Sequence, residues 1–362
     1  MLKLDSCPFS NCIDYCFDED YYTGTWEVRK SSQGNIFWVF NKEMPRIKDQ
    51  ILDCSIYLYH SEQDAKQGEK SGGSGFLVVI PSEVDRYGYA VTNSHVIREA
   101  ASPVIRLNTV NDDIEILNYA DRNWFHHPSG DDIAVCPLLL DWSKYKFSCI
   151  PTDLFINQAI ISKENIGAGD EVFMVGRFIG FDGIQHNTPT LRFGNMSIGS
   201  PQKILHRRGY LQESYLIETR SLSGYSGSPV FVHILPFSKR PGTQGWSTER
   251  GPWLLGIDWG HEPIWEKVYE KNQKDEVVEG WQVPTNSGIA CIVPASKLLE
   301  LLKIKELVDM RKKLDQTKLE ALEKETKQKG SDVVLDSITR EQFHSIIKKA
   351  AQPIEKPESD SK

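Results

Sequence analysis

From Ile51 to about Pro294, short apolar runs rich in Val, Ile and Phe alternate with clusters of turn-forming residues. The runs Ser55–Tyr59, Gly75–Ile80, Tyr89–Thr92, Ile133–Leu139, Glu171–Gly176, Tyr215–Glu218, Pro229–His233, Trp253–Ile257 and Ile289–Val293 have strand length and strand composition. Many short strands at this spacing predict an all-β barrel or sandwich rather than alternating β/α units. Residues 1–50 are aromatic and polar, with strand-like pieces at Thr25–Val28 and Ile36–Phe40, and read as an N-terminal extension. After Pro294 the period changes. Leu298, Leu299, Leu302, Leu307, Met310 and Leu314 recur at helical spacing through Ser296–Lys329, a stretch rich in Leu, Lys and Glu. Thr339 and Gln342 form a capping box for a second helix, with Phe343, Ile346, Ile347 and Ala350 on one face. Pro353–Lys362 has the composition of a disordered tail.

Two polar stretches, Pro236–Pro252 and His261–Ser287, interrupt the later β region and exceed the usual length of a connection. Trp265 and Trp281 argue that the second is more than a solvated linker.

The chain has 362 residues, which suits one large or two medium domains with tails. With 40% hydrophobic residues it can bury a core without disulfides. A net charge of -8 and no long basic block argue against a nucleic-acid partner. No apolar stretch approaches the ~18 residues of a membrane span, so no membrane association is expected. Asp5 and Asp14 stand where a secretory leader needs its apolar stretch. The 7 cysteines are odd in number and scattered, which points to a reducing cytoplasm. Cys7, Cys12 and Cys16 cluster, but lack a Cys-x-x-Cys pair or an obvious fourth ligand, and read as reduced thiols; no metal is expected.

Three short motifs carry chemistry. Val91-Thr92-Asn93-Ser94-His95-Val96-Ile97 puts a histidine just beyond the strand Tyr89–Thr92, which is expected to pair with Gly75–Ile80. Asp131-Asp132-Ile133-Ala134-Val135 puts an acid at the mouth of an apolar strand. Ser223-Gly224-Tyr225-Ser226-Gly227-Ser228-Pro229-Val230 is a serine in a glycine turn entering another strand. Singly, each reads as a structural histidine, a strand cap and a loop. Together they supply what acyl transfer needs: a nucleophile, a base, an acid to hold the base's tautomer, and backbone donors for an oxyanion. The small residues around Ser226 permit a turn that aims the N–H groups of Gly224 and Ser226 at one point. An α/β-hydrolase elbow, Gly-x-Ser-x-Gly, is excluded because its last position is Ser228 and because the order is His, Asp, Ser.

These motifs resemble those of the trypsin-like serine peptidases, and most closely the bacterial Deg/HtrA branch. Ser71-Gly72-Gly73-Ser74-Gly75-Phe76-Leu77, Gly169-Asp170-Glu171-Val172 and Asn286-Ser287-Gly288-Ile289-Ala290 are similar to that branch's supporting segments, so the match spans roughly Asp53 to Ala295. The resemblance implies two six-stranded antiparallel β-barrels with the site in the cleft between them. The expected division is 1–50 extension, 51–145 first barrel with His95 and Asp132, 146–295 second barrel with Ser226, 296–352 helical appendage and 353–362 tail. It implies Ser226 as nucleophile, His95 as general base, Asp132 as the orienting acid, and the amides of Gly224 and Ser226 as the oxyanion hole, with no cofactor. The Asp-x-Ala register selects Asp132 and leaves Asp131 as a solvated turn residue.

In the family, the residue six before the nucleophile lies at the base of the specificity pocket; here it is Arg220. Either Arg220 attracts an acidic substrate side chain, or it points away and leaves a pocket of small residues such as Ser221 and Gly288. Asp258-Trp259-Gly260 resembles the segment that pairs with substrate backbone, with Trp259 either a wall of the cleft or core. The 261–287 insertion is expected to border the same cleft. Tyr225 replaces the Asp that secreted digestive relatives use for zymogen activation. No PDZ module is evident. The helices after Pro294 are either a docking element for a regulatory protein partner or a solvated appendage. The expectation is an intracellular, bacterial serine endopeptidase with protein or peptide substrates; the rival is a catalytically silent, protease-like binding module.

Overall fold

The computed structural model of the chain describes residues 25–30, 36–41, 47, 49–178, 185–206, 208–219, 221, 224–234, 251–271 and 277–329. The Cys7/Cys12/Cys16 cluster, Arg220, most of the 236–252 stretch, the Thr339/Gln342 box and the 353–362 tail lie outside these residues.

Strands β1 (Thr25–Lys30) and β2 (Ile36–Asn41) form an antiparallel hairpin of their own. The first large sheet holds β3 (Ser55–Tyr59), β4 (Ser71–Pro81), β5 (Arg86–Thr92), β6 (Val104–Asn108), β7 (Ile114–Asn118), β8 (Phe125–His126), β9 (Ala134–Leu138) and β10 (Ile150–Pro151). Its order is β7-β6-β3-β4-β5-β9-β8, with β10 added parallel to β4, so it curls as a half-barrel. The second holds β11 (Glu171–Gly176), β12 (Thr190–Met196), β13 (Gln202–Leu205), β14 (Leu211–Glu218), β15 (Pro229–Val232), β16 (Trp253–Lys271) and β17 (Val277–Pro294). Its order is β12-β11-β15-β16-β17-β14-β13, and pairing of β12 with β14 closes a six-stranded barrel to which β13 is appended. The core is thus all-β, as the strand pattern predicts, and its half-barrel and closed barrel are consistent with the double-barrel fold that the resemblance implies.

Period-two burial explains why these residues form strands. In the first sheet Ile56 and Leu58, Leu77 and Val79, Ile105 and Leu107, and Ala134, Cys136 and Leu138 share one core. Tyr57, Tyr59 and Val104 are buried on the opposite face, which is why β3 reads as an unbroken apolar run. In the second sheet Val172 and Met174, Tyr215 and Ile217, Val230 and Val232, Trp253 and Leu255, and Ala290 and Ile292 fill the barrel. Each large side chain fully buried in this way contributes about 1.5–3 kcal/mol. Strands β6, β7, β12 and β13 are not apparent in the sequence pattern, because residues such as Arg106, Glu115, Arg192 and Lys203 break their apolar alternation.

In the stretch read as a long polar insertion, His261–Lys271 and Val277–Ser287 are instead extended β-structure. Beyond the barrel, β16 and β17 continue as a paired ribbon, with Ile264 opposite Thr285, Trp265 opposite Pro284 and Glu266 opposite Val283. Trp265 and Trp281 are exposed on it.

The helix Ala295–Leu302 follows β17 directly and buries Leu298, Leu301 and Leu302. The chain divides into two units, Met1–Arg311 and Lys312–Lys362, the second starting within the helix Lys305–Lys329. At the end of the first unit, Arg311 donates to the Tyr89 hydroxyl at 2.8 Å and to the Leu302 carbonyl at 2.9 Å.

Candidate active site

His95 lies in the one-turn helix Ser94–Arg98, which starts immediately after β5 and Asn93. Asp132 precedes β9, and β5 pairs with β9. That pairing brings the two motifs together: His95 Nδ1 lies 2.6 Å from Asp132 Oδ2, and the His95 backbone N–H donates to Oδ1 at 2.9 Å. The Asn93 side chain donates to the Asp132 carbonyl at 2.9 Å, tying the turn before β9 to the end of β5. His95 is partly exposed and Asp132 is fully buried. Burial pushes the Asp132 carboxyl up, but donors from His206 and His95 outweigh it and hold the carboxyl well below the usual carboxylate range.

Ser226 sits on the turn entering β15, and two glycines shape that turn. Gly224 and Gly227 both adopt positive φ, +95° and +89°. The Ser228 N–H donates to the Tyr225 carbonyl at 2.8 Å, and the Gly227 N–H to the Asp258 carbonyl at 2.8 Å. Tyr225 is wholly buried in the second barrel, where its hydroxyl meets the Thr190 hydroxyl at 2.6 Å. Ser74 of β4 pins the turn to the first sheet: its N–H donates to the Ser226 carbonyl at 2.8 Å and its hydroxyl to the Gly224 carbonyl at 2.7 Å. Gly73 marks how close the histidine and serine segments come. A Cβ there would lie 2.8 Å from the Ser226 carbonyl oxygen and 2.9 Å from a Val96 methyl. Gly73 thus lies between the Ser226 carbonyl and the Val96 side chain of the helix that carries His95; among the described residues no hydrogen bond joins His95 to Ser226, which is half-buried and within reach of solvent.

The residues expected to border a substrate are also drawn together. Ser221 is buried, and its hydroxyl donates to Asp258 Oδ2 at 2.6 Å. Asn286 donates to the Ser221 carbonyl at 2.6 Å, and the Thr219 N–H to the Gly288 carbonyl at 2.8 Å. Gly260 is paired with Cys291 next to that segment. Trp259 is buried; its indole N–H donates to Ser214 at 2.9 Å and its ring packs on His206 at 4.5 Å.

Asp131 departs from its expected role as a solvated turn residue. Its carboxylate receives the Gln212 amide at 2.8 Å and lies 3.0 Å from His127 Nδ1 and 3.8 Å from Lys297. Sequence reasoning also misses Gln212, whose side-chain oxygen accepts the Asp132 N–H at 2.9 Å from β14 of the second sheet. It misses His206 as well, and it places Asp258 only in the segment expected to pair with substrate backbone, not as the partner of Ser221. For that role a signal existed, an acid inside the apolar run Trp253–Trp259; nothing local marks His206 or Gln212.

Asp258 has a consequence for stability. It is fully buried, and burial pushes its carboxyl up to about 7 although Ser221 pulls the other way. Between the ordinary value of 3.8 and about 7 the folded protein keeps a proton that the unfolded chain releases, so stability falls as pH rises through that window. Asp258→Asn retains an acceptor for Ser221 and removes the titration. It is expected to match wild type near pH 4 and to unfold at higher urea concentration at pH 8. Equal urea midpoints at pH 8 would contradict an uncompensated buried acid.

No family model matches the chain, and no curated protein matches it. Solved structures do. The chain is similar to the HtrA-type protease AlgW with a tripeptide, at 14% identity and a TM-score of 0.38, covering 68% of this chain and 57% of that one. It is similar to Rv3671c from M. tuberculosis in an inactive form, at 13% identity and a TM-score of 0.38, covering 69% and 85%. It is similar to Deg5 at 16% identity and a TM-score of 0.36, covering 58% and 80%. The chain thus spans little more than half the length of AlgW. These likenesses are remote, so the chemistry rests on this chain's own residues.

Proposed function

We propose that this chain is a serine endopeptidase acting on protein or peptide substrates through an acyl-enzyme. The observation that carries the reading is the 2.6 Å contact of His95 Nδ1 with the fully buried Asp132, beside the pinned Ser226 turn. Asp132 accepts the Nδ1 proton, so the neutral His95 presents an unprotonated Nε2 as the base. His95 takes the Ser226 proton as its oxygen attacks the scissile carbonyl, then returns it to the leaving amine. Water, activated in the same way, releases the acyl group. The amides of Gly224 and Ser226 hold the oxyanion, each donor contributing about 3 kcal/mol to the transition state. Asp258–Gly260, Ser221 and Gly288 border the substrate. The buried thiols Cys54, Cys136, Cys149 and Cys291 suit a reducing cytoplasm, and burial pushes Cys136 up to about 12, where it is inert at neutral pH. Among the described residues no helix is long and apolar enough to cross a membrane.

A fluorophosphonate probe tests the assignment. The wild-type chain is expected to label covalently, and Ser226→Ala to lose labelling completely. Labelling that persists in Ser226→Ala refutes the nucleophile. Absence of labelling in wild type, in a folded chain and across pH 6–9, turns the reading toward a silent binding module.

A further inference from the structure

We propose that His206 is a positioning residue for this site: a second imidazole that donates to the Asp132 carboxylate from the side opposite His95. The inference rests on the reading of His95, Asp132 and Ser226 as a catalytic set. His206 immediately follows β13 and is 5% exposed, so its polar atoms need internal partners. The Arg208 backbone N–H donates to His206 Nδ1 at 3.3 Å. A backbone amide can only donate, so Nδ1 is the acceptor and the proton of the neutral ring is on Nε2. Nε2 faces Asp132 Oδ2 at 3.5 Å. That is the long end of hydrogen-bond reach.

The ring is clamped in this orientation. It stacks on Tyr210 at 4.6 Å with 14° between planes, and on the other side meets Trp259 at 4.5 Å and 32°. The His206 N–H donates to the Tyr210 carbonyl at 2.7 Å, closing the turn that holds both rings. Asp132 and the Tyr210 ring face the imidazole, whereas the Arg208 guanidinium pairs with Glu99. Asp132 thus has three N–H groups converging on it: His95 N–H on Oδ1, and His95 Nδ1–H and His206 Nε2–H on Oδ2. The second imidazole keeps the carboxylate in one plane and draws part of its charge away from His95. Trp259 adjoins Gly260 in the segment proposed to border the substrate, so a peptide lying there bears on the stack that sets His206.

The test is the second-order rate of fluorophosphonate labelling of the full chain, measured against pH. His206→Phe removes the donor but keeps a ring between Tyr210 and Trp259. It is expected to label about 10- to 100-fold more slowly, the worth of a hydrogen bond to a charged group. Its acid limb is expected to move to higher pH, because His95 then feels the whole carboxylate charge and binds its proton more tightly. His206→Gln, which restores an N–H donor, is expected to recover part of the rate and return the limb toward wild type. A His206→Phe chain with wild-type rate and limb overturns the inference while leaving the proposed function intact. Nitrogen-15 NMR of the imidazoles in the full chain decides it independently of activity. An Nε2–H tautomer for His206, with a resonance that moves in Asp132→Asn, supports the inference, and an Nδ1–H tautomer overturns it. If wild type does not label at all, the proposed function fails and the NMR result still decides the role of His206.

Discussion

Replacing Asp132 with Asn is expected to lower the rate of peptide hydrolysis on the order of 10⁴-fold while leaving the chain folded. Every neighbour of the carboxylate is a donor. Oδ1 accepts the His95 backbone N–H, and Oδ2 faces His95 Nδ1 and His206 Nε2. An asparagine amide must therefore turn its NH₂ toward either a backbone N–H or two imidazole nitrogens. In the second orientation His95 can keep a partner only by moving its proton to Nε2, where it can no longer accept the Ser226 proton. In the first, an N–H faces an N–H inside a buried site, and the histidine turn is pushed out of place. The loss is thus one of tautomer and position, and it falls on kcat more than on KM. The check is kcat and KM on a peptide substrate, with thermal unfolding of the same sample. A folded Asp132→Asn chain with near wild-type kcat would remove Asp132 from the mechanism.

Gly227→Val is expected to destabilise the fold by about 3 kcal/mol or more and to abolish labelling of Ser226. Two costs combine. The residue has φ +89°, a conformation that a β-branched residue strongly resists. A Cβ would also run into the Ser74 backbone carbonyl and the Thr92 hydroxyl, which are held to each other by a 2.7 Å hydrogen bond. Neither is the free end of a flexible side chain, so the turn must move as a whole. It cannot move without breaking the Gly227 N–H bond to Asp258 and the Ser74 N–H bond to Ser226. Urea denaturation gives the first effect and fluorophosphonate labelling the second. A variant as stable as wild type would show that the turn can relax away from β4 and β5.

How much was legible beforehand differs between strand and site. Strands such as β3 and β11 appear in the sequence with their observed bounds, because each is a run of apolar residues that one or both sheet faces bury. The strand Leu211–Glu218 appears only in its second half: Gln212 and Ser214 are polar, and both are buried because they face neighbouring polar groups rather than oil. The ribbon beyond Trp259 was hidden for a related reason. Its strands are held by backbone pairing, and described side chains such as Ile264, Trp265, Trp281 and Val283 are exposed, which leaves no period-two trace. The helix Ala295–Leu302 reads as the start of an appendage, yet its leucines belong to the packed body of the first unit.

Ser226, His95 and Asp132 could be singled out from the sequence because each stands in a short motif whose backbone demands are local: a glycine turn, a strand end, an acid before a strand. The apolar periodicity likewise determined the all-β character, since burial on a pleated surface depends on alternation along the chain. The surroundings of Asp132 were decided only in three dimensions. His206 and Gln212 lie 74 and 80 residues beyond it, and Asp258 reaches Ser221 across 37 residues. A hydrogen bond needs two groups within about 3 Å and aligned. When the partners come from different strands, sheet closure and not sequence spacing brings them there.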